Sequence, residues 1–236
     1  MPFPRWSIRR SVRCLVATLS LAPGAALAQA SALVDEGTFQ VSRNGSPIGR
    51  EAFSIVRSPA PGGQVFLAKG TSAIGDRTLT TALGTDSAGV PVTYESMLRE
   101  RGAITEQTKG RGRPGRFSVL VQTRSGEAAR EFVLSNGALL LDDDVFHQLY
   151  FVAIAGQHAE FVVVTPGNPQ PERFRVEPRG TQAVEIAGLR ITGRRFALQG
   201  PAGDVREVWL DAAGRLLKVS IPDRGLVALR DDPPRN

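Results

Sequence analysis

The stretch Asp204–Asp231 reads DVREVWLDAAGRLLKVSIPDRGLVALRD and contains three strand-like runs separated by two turn signals. The runs are Val205–Leu210, Arg215–Ile221 and Gly225–Arg230. The first turn begins at Asp211 and ends at Gly214, an arrangement typical of a type I hairpin turn. In the second turn, Pro222 presets φ and Gly225 accepts a positive φ. The stretch therefore predicts an antiparallel meander, and the rest of the chain extends the same pattern.

The N-terminus has the composition of a secretory signal peptide. Met1–Arg13 carries four arginines and no acid, Cys14–Ala28 is apolar, and small residues offer cleavage after Ala28 or Ala30. Basic, apolar and small-residue regions in this order indicate export, with Sec export to the periplasm as the best match. We therefore expect residues 1–30 to be removed and residues 31–236 to form a single all-β domain without a transmembrane span.

Charge and cysteine content narrow the class of protein. The chain has 29 basic and 23 acidic residues, and the first thirty residues hold four of the basic and none of the acidic ones. The remaining 25 basic residues nearly balance the 23 acidic ones, so the composition does not indicate a nucleic-acid partner. The only cysteine lies in the signal segment, which excludes disulfides and cysteine zinc sites from the mature chain.

Strand-like runs separated by Gly, Pro, Asn and Asp recur every eight to twelve residues, a spacing typical of all-β proteins. Asn44–Gly45, between two alternating runs, is a strong hairpin signal. The pattern predicts strands at Glu36–Arg43, Ile48–Arg57, Gln64–Ala73, Arg77–Thr85, Val90–Arg101, Ile104–Lys109, Phe117–Arg124, Ala129–Ser135, Glu160–Thr165, Glu172–Glu177, Thr181–Ala187 and Leu189–Leu198. A change of phase near Gly193 predicts a bulge in the last of these.

One segment departs from the β pattern. Leu141–Ala155 opens with three aspartates and then places apolar residues at helical spacing. Asp142 or Asp143 at its start would cap a helix and meet the positive end of its dipole. We therefore expect one helix of two to three turns.

Several strands are apolar on both faces, which is unusual for a sheet with one solvated face. A curved sheet with a dry concave face and the helix tucked against it explains this pattern. A two-sheet sandwich explains it as well, and periodicity does not separate the two. The predicted fold is mainly β: a curved antiparallel sheet or incomplete barrel with one short helix.

Candidate catalytic residues are few. The mature chain has two histidines, His147 and His158, and a hydrolase or lyase would pair His147 with Asp144. The favoured alternative is a capped helix start with an exposed histidine. Carboxylates suited to glycoside chemistry would be Glu95 with Glu100, or Glu207 beside Trp209; a solvated strand face is favoured for them. No nucleotide-binding glycine motif, nucleophile elbow or metal-ligand spacing occurs, so no cofactor and no metal are expected.

The segment Lys109–Arg116, KGRGRPGR, is the most basic short motif. It resembles an AT-hook, but export argues against a DNA partner. A hairpin loop kept soluble by arginine is favoured, with anionic headgroup binding by Arg111, Arg113 and Arg116 as the second interpretation.

The order of motifs resembles uncharacterised exported proteins of Gram-negative bacteria. The motifs are G-x-x-x-G at Gly45–Gly49, VPVTY at Val90–Tyr94, D-x-F-H-Q at Asp144–Gln148, and a closing W-x-D with GRLLKV. More distantly, the chain resembles periplasmic lipoprotein carriers of the LolA/LolB kind, whose curved half-barrel holds acyl chains under helices. This resemblance implies a lipid or acyl ligand.

The leading hypothesis is a non-enzymatic binding or envelope-assembly protein with an apolar groove for a lipid or acyl chain. An envelope protein partner is a further possibility. The residues expected to line the groove are aromatic: Phe39, Phe53, Phe117, Phe132, Tyr150 and Trp209. The first alternative is a structural or interaction β module without a ligand cavity, and the second is the hydrolase or lyase described above.

Overall fold

The computed structural model describes residues 30–134, 137–155 and 160–235. Within these residues the chain forms fifteen strands and three short helical segments. The strands are β1 (Ala32–Arg43), β2 (Ser46–Ala60), β3 (Gly63–Ile74), β4 (Arg77–Asp86), β5 (Pro91–Glu100), β6 (Ala103–Arg113), β7 (Arg116–Thr123), β8 (Gly126–Val133), β9 (Leu139–Leu140), β10 (Glu160–Val164), β11 (Glu172–Ile186), β12 (Leu189–Gln199), β13 (Val205–Leu210), β14 (Leu216–Ile221) and β15 (Leu226–Arg230). The helical segments are a 3₁₀ turn at His147–Tyr150, helix α1 at Phe151–Ala155 and a 3₁₀ turn at Pro222–Arg224. Residues 1–29 of the predicted signal peptide, and His158, lie outside the described residues.

All fifteen strands belong to one sheet, in the order β8-β7-β6-β5-β4-β3-β2-β1-β15-β14-β13-β12-β11-β10-β9. Neighbouring strands are antiparallel except β9 and β10, which are parallel. Strand β1 pairs with both β2 and β15, so it joins the two halves of the sheet. Strands β8 and β9 are the two edges, and the sheet does not close. The predicted curved antiparallel sheet with one short helix is therefore confirmed, and the two-sheet sandwich is not formed.

Turn chemistry places the hairpins where the sequence predicts them. Asn44 and Gly45 both have positive φ, at 50° and 81°, as a type I′ hairpin turn requires. In the closing meander, Gly214 has a φ of 83°. The carboxylate of Asp211 accepts a hydrogen bond from the Arg215 backbone N–H at 2.8 Å. The three predicted meander strands differ from β13, β14 and β15 by at most one residue at either end.

The predicted helix Leu141–Ala155 is wrong in its first half. Helical structure begins only at His147, and the 3₁₀ turn has no side-chain cap. Asp144 has a φ of 58°, a left-handed conformation that interrupts a right-handed helix. The free N–H groups at the helix start are bound by Glu51 of strand β2 instead: its carboxylate accepts hydrogen bonds from the backbone N–H groups of Phe146 and His147, both at 2.7 Å.

Residues 139–155, which we call the inner segment, pack into the hollow of the sheet. Eight of its apolar side chains belong to the same buried cluster as the inward-facing residues of the strands. The members contributed by the inner segment are Leu139, Leu140, Leu141, Phe146, Leu149, Tyr150, Phe151 and Val152. Where these residues pack, the concave side is therefore filled by the chain itself.

A second, smaller apolar cluster explains why the closing meander is apolar on both faces. Val184 and Ile186 of β11 pack against Trp209 and Leu217. Because Trp209 alternates with Val208 and Leu210, whose side chains belong to the main core, this cluster lies on the opposite face. The register of β11 against β12 shifts between Pro178 and Thr181. The bulge predicted at Gly193 of β12 is therefore on the partner strand.

A buried ion pair stabilises the junction of the two halves. Arg230 of β15 donates from Nη1 to Asp35 Oδ1 at 2.8 Å and to the Leu216 carbonyl at 3.0 Å. Its guanidinium lies over the ring of Phe53, 5.4 Å from the centroid. Burial raises the pKa of Asp35, although Arg230 acts in the opposite direction. A Cβ at Gly37 would lie 2.7 Å from the Arg230 guanidinium, so any larger residue there would require the guanidinium to shift.

Candidate functional site

Five of the six aromatic residues predicted to line a groove belong to the main core. They are Phe39, Phe53, Phe117, Phe132 and Tyr150. Phe39 and Phe53 stack with ring centroids 4.9 Å apart. Trp209 belongs to the second cluster instead and donates from Nε1 to Gln182 Oε1 at 3.0 Å. The structure thus separates Trp209 from the other five, and a ligand-binding role for the six remains a prediction.

The predicted pair of His147 and Asp144 does not form. His147 Nδ1 lies 2.7 Å from Glu51 Oε1, and both side chains are fully buried. The imidazole stacks on Phe53 and occupies the space above Gly70, where a Cβ would collide with the ring. The histidine expected to be exposed is therefore buried, and its contacts anchor the inner segment to β2 and β3.

Asp144 takes part in a different set of contacts. Its carboxylate accepts a hydrogen bond from Arg224 at 2.5 Å and lies 3.6 Å from Arg77. Arg77 in turn lies 3.3 Å from Glu100. Sequence spacing alone did not indicate these pairs, because the partners lie on three different parts of the chain.

The carboxylates considered for glycoside chemistry are also apart. Glu95 and Glu100 lie five residues apart in β5, an odd spacing that places them on opposite faces of the strand. Glu207 forms an ion pair with Arg195. Among the described residues, no group of three histidine or carboxylate side chains is arranged to hold a metal ion.

A groove of about 740 Å³ crosses strands β2 to β6 in the middle of the sheet. Two cross-strand rows of side chains form its walls. One row is Ser54, Lys69, Ala82, Glu95 and Lys109, and the other is Ala52, Thr71, Thr80, Met97 and Gln107. Both rows alternate with inward-facing residues such as Gly70 and Thr81, so the groove lies on the outer face of the sheet. We call it the outer groove.

The charged residues of the outer groove are exposed and occupy one wall. Lys69, Glu95 and Lys109 share a row, with Ala82 between the first two. None of the three has an ion-pair partner within 4 Å in the described part of the chain. The chain has only three lysines, and two of them line this groove. The wall therefore carries two lysines and one glutamate, an excess of one positive charge.

A second depression of about 550 Å³ continues the outer groove toward the edge strand β8. It shares Lys109 with the groove and adds Arg111, Leu120, Ala129 and Arg130. Arg111 is thus the residue of the predicted headgroup set that lines this surface. Arg113 is exposed beside the β6–β7 turn, and Arg116 is paired with Glu131.

The basic segment is also more ordered than predicted. Strand β6 continues to Arg113 and β7 begins at Arg116, so the expected loop at residues 110–116 is reduced to a turn at Pro114 and Gly115. Gly110 lies against the ring of Phe117, and a Cβ at Gly112 would lie 2.6 Å from the Pro91 carbonyl. These glycines permit close packing within the sheet rather than a flexible loop.

No protein-family model matches the sequence, and no curated protein matches it. Among solved structures, the chain is similar to the crystal structure of a β-barrel-like protein of the domain of unknown function DUF1849 from Brucella abortus. The TM-score is 0.54 with 11% identity, and the match covers 86% of this chain and 98% of that chain. The fold is β-barrel-like.

At this identity the likeness extends to the fold alone. It is compatible with a binding or structural β module and identifies neither a ligand nor an enzyme family. The resemblance to carriers of the LolA/LolB kind is not among these findings and stays a prediction. Within the described ranges, no helix is long and apolar enough to cross a bilayer.

Proposed function

We propose that the protein is an exported, non-enzymatic binding module of the cell envelope that holds a single-chain anionic amphiphile in the outer groove. The observation that carries this proposal is the pairing of a long, largely small-residue groove with two lysines that lack acidic partners. The signal-like N-terminus and the absence of cysteine from the mature sequence support export to the periplasm.

The dimensions of the groove suit an extended chain. Five strands cross it, and their four spacings give a length of roughly 19 Å at about 4.8 Å per strand. Ala52, Ala82 and Met97 supply apolar surface along this length, and threonines contribute methyl groups. Lys109 and Arg111 meet where the groove joins the second depression. An anionic headgroup at this junction would leave the acyl chain lying toward β2.

The outer groove also accommodates an acyl chain better than the hollow of the sheet does. Where the inner segment packs, it fills the concave side with buried apolar residues, among them Leu149 and Val152. An acyl chain on that side would have to displace these contacts, at about 25 cal/mol for each Å² of apolar surface exposed. Binding on the outer face leaves the core intact.

Replacing Lys109 and Arg111 together by alanine is expected to weaken binding of dodecyl phosphate on the order of twentyfold. Each Lys or Arg near an anionic group contributes about 1 kcal/mol, and 1.4 kcal/mol corresponds to roughly tenfold in affinity. Isothermal titration calorimetry below the micellar concentration measures the effect. Lys218→Ala is the matched control, because Lys218 is the third lysine and lies over Trp209, away from the groove.

Dodecyl maltoside serves as the neutral ligand and should lose little affinity in the double variant. Equal affinity of wild type and double variant for dodecyl phosphate would overturn the placement of the headgroup. No saturable binding of either amphiphile to the wild type would favour a structural or interaction module.

A further inference from the structure

The charged wall of the outer groove places an acid directly beside a lysine. Glu95 of β5 lies opposite Lys109 of β6, and Lys69 lies two strands away on the other side of Glu95. Glu95 and Lys109 are Cα partners, yet no ion pair joins their side chains within 4 Å in the described part of the chain. Both side chains are exposed, so both charges are accessible to a ligand.

Lys109 and Arg111 form the basic part of this surface. They are two residues apart in β6, so their side chains lie on the same outer face, roughly 7 Å apart along the strand. Ser118 of β7 lies opposite Arg111, and all three residues line the second depression. Arg111 also forms no ion pair with any residue that the structure describes. Two cations and a hydroxyl donor suit the oxygens of one phosphate group.

Glu95 is the acidic part of the same surface. Its other cross-strand neighbour is Ala82 of β4, and the next residues on its face of β5 are Thr93 and Met97. The Thr93 side chain lies over Gly84, where a Cβ would be 2.4 Å from Thr93 Oγ1. The carboxylate therefore lines the groove with free acceptor sites, and it repels a headgroup whose charge is wholly negative.

The separation of the two charged parts matches one kind of zwitterion. Directly opposite residues of neighbouring antiparallel strands lie about 4.5–5.5 Å apart. In a phosphoethanolamine, one oxygen and two methylene groups separate the phosphorus from the ammonium nitrogen, which is a comparable length. A primary ammonium group has three N–H donors, and its hydrogen bonds to a carboxylate are charge-assisted.

We infer, on the basis of the proposed function, that the amphiphile in the outer groove carries a phosphoethanolamine headgroup. Its phosphate binds Lys109 and Arg111, and its ammonium group donates hydrogen bonds to Glu95. The two ester arms leave the phosphorus in different directions, so the ethanolamine arm follows the charged wall while the alkyl chain follows the groove toward β2. Glu95 is then the residue that selects a zwitterionic headgroup over a purely anionic one.

The test compares three ligands that share a dodecyl chain and a phosphodiester, by isothermal titration calorimetry below their micellar concentrations. Dodecyl phosphoethanolamine has N–H donors, dodecyl phosphocholine has a quaternary ammonium group without them, and dodecyl methyl phosphate has no cation. We expect the wild type to bind the first at least about fivefold more tightly than either of the others. Glu95→Gln should reduce both ratios to within about twofold, and it should tighten the binding of dodecyl methyl phosphate because a like charge is removed.

Glu185→Gln is the matched control and should keep the wild-type ratios, because Glu185 is exposed on β11 and forms no ion pair in the described structure. Thermal melts verify that both variants are folded. O-phosphoethanolamine, which has no alkyl chain, should not saturate the wild type. Affinity equal to that of the dodecyl ester would assign the site to the free headgroup and overturn the inference.

Equal affinity of the wild type for dodecyl phosphoethanolamine and dodecyl phosphocholine would overturn the headgroup assignment, and the proposed function would stand if dodecyl phosphate still binds. Unchanged ratios in Glu95→Gln would overturn the role of Glu95 in selecting the headgroup. Absence of saturable binding for every dodecyl ligand would instead overturn the proposed function, and this inference with it.

Discussion

Replacing Glu51 by alanine is expected to lower the free energy of unfolding by about 4 kcal/mol. The carboxylate accepts three hydrogen bonds at 2.7 Å, from the backbone N–H groups of Phe146 and His147 and from His147 Nδ1. Glu51 and the His147 side chain are fully buried. Alanine would leave three buried donors without an acceptor, and each unpaired buried donor costs about 1–3 kcal/mol. Urea denaturation followed by circular dichroism measures the loss.

Glu51→Gln separates hydrogen bonding from packing. Glutamine has nearly the same size but a single acceptor oxygen, so we expect about half of the alanine effect. Glu185→Ala, on the exposed face of β11, is the control and should change stability by less than about 0.5 kcal/mol. If Glu51→Ala loses less than about 1 kcal/mol, the inner segment is not anchored by this carboxylate.

Replacing Arg230 by methionine is expected to lower the free energy of unfolding by about 4 kcal/mol. The guanidinium is buried and donates to Asp35 and to the backbone carbonyls of Leu216, Glu36 and Asp232. Methionine keeps the apolar stem over Phe53 but leaves the buried Asp35 carboxylate without its ion-pair partner. Removing one partner of a buried ion pair lowers the stability of a protein more than replacing both partners by apolar residues.

The double variant Asp35→Leu with Arg230→Met provides the comparison. We expect it to be more stable than Arg230→Met alone, because no unpaired charge remains. Chemical denaturation of the two variants, measured at the same pH, gives the difference. A double variant as unstable as the single one would show that the backbone contacts of Arg230 matter more than its pairing with Asp35.

The sequence predicted the strands best where turn chemistry is local. Asn44–Gly45 and Asp211 with Gly214 placed their hairpins correctly, because Asn, Asp and Gly favour these turn conformations on their own. The helix prediction was wrong in its first half because tertiary contacts, rather than local sequence, determine where the helical segment begins. The left-handed backbone at Asp144 and the carboxylate of Glu51, 96 residues away from His147 in sequence, decide where the helical segment begins.

The sequence alone did not indicate the outer groove, because residues distant in sequence form it. Lys69 and Lys109 lie forty residues apart, and only the register of four strands places them in one row. The small number of lysines could have indicated this groove, because two of the three point outward from the same part of the sheet. The groove was predicted from aromatic residues instead, and five of those six lie in the main core. Buried aromatic residues and groove-lining aromatic residues have the same sequence pattern.

We have proposed that an anionic amphiphile binds on the outer face of the sheet, and photo-crosslinking tests this most directly. An alkyl phosphate with a diazirine on its chain is bound, irradiated and mapped by peptide mass spectrometry. We expect the labels to fall on residues 69–71, 80–82 and 95–97 of the outer groove and to be competed by dodecyl phosphate. Labels concentrated on residues 139–155, inside the hollow of the sheet, would contradict it.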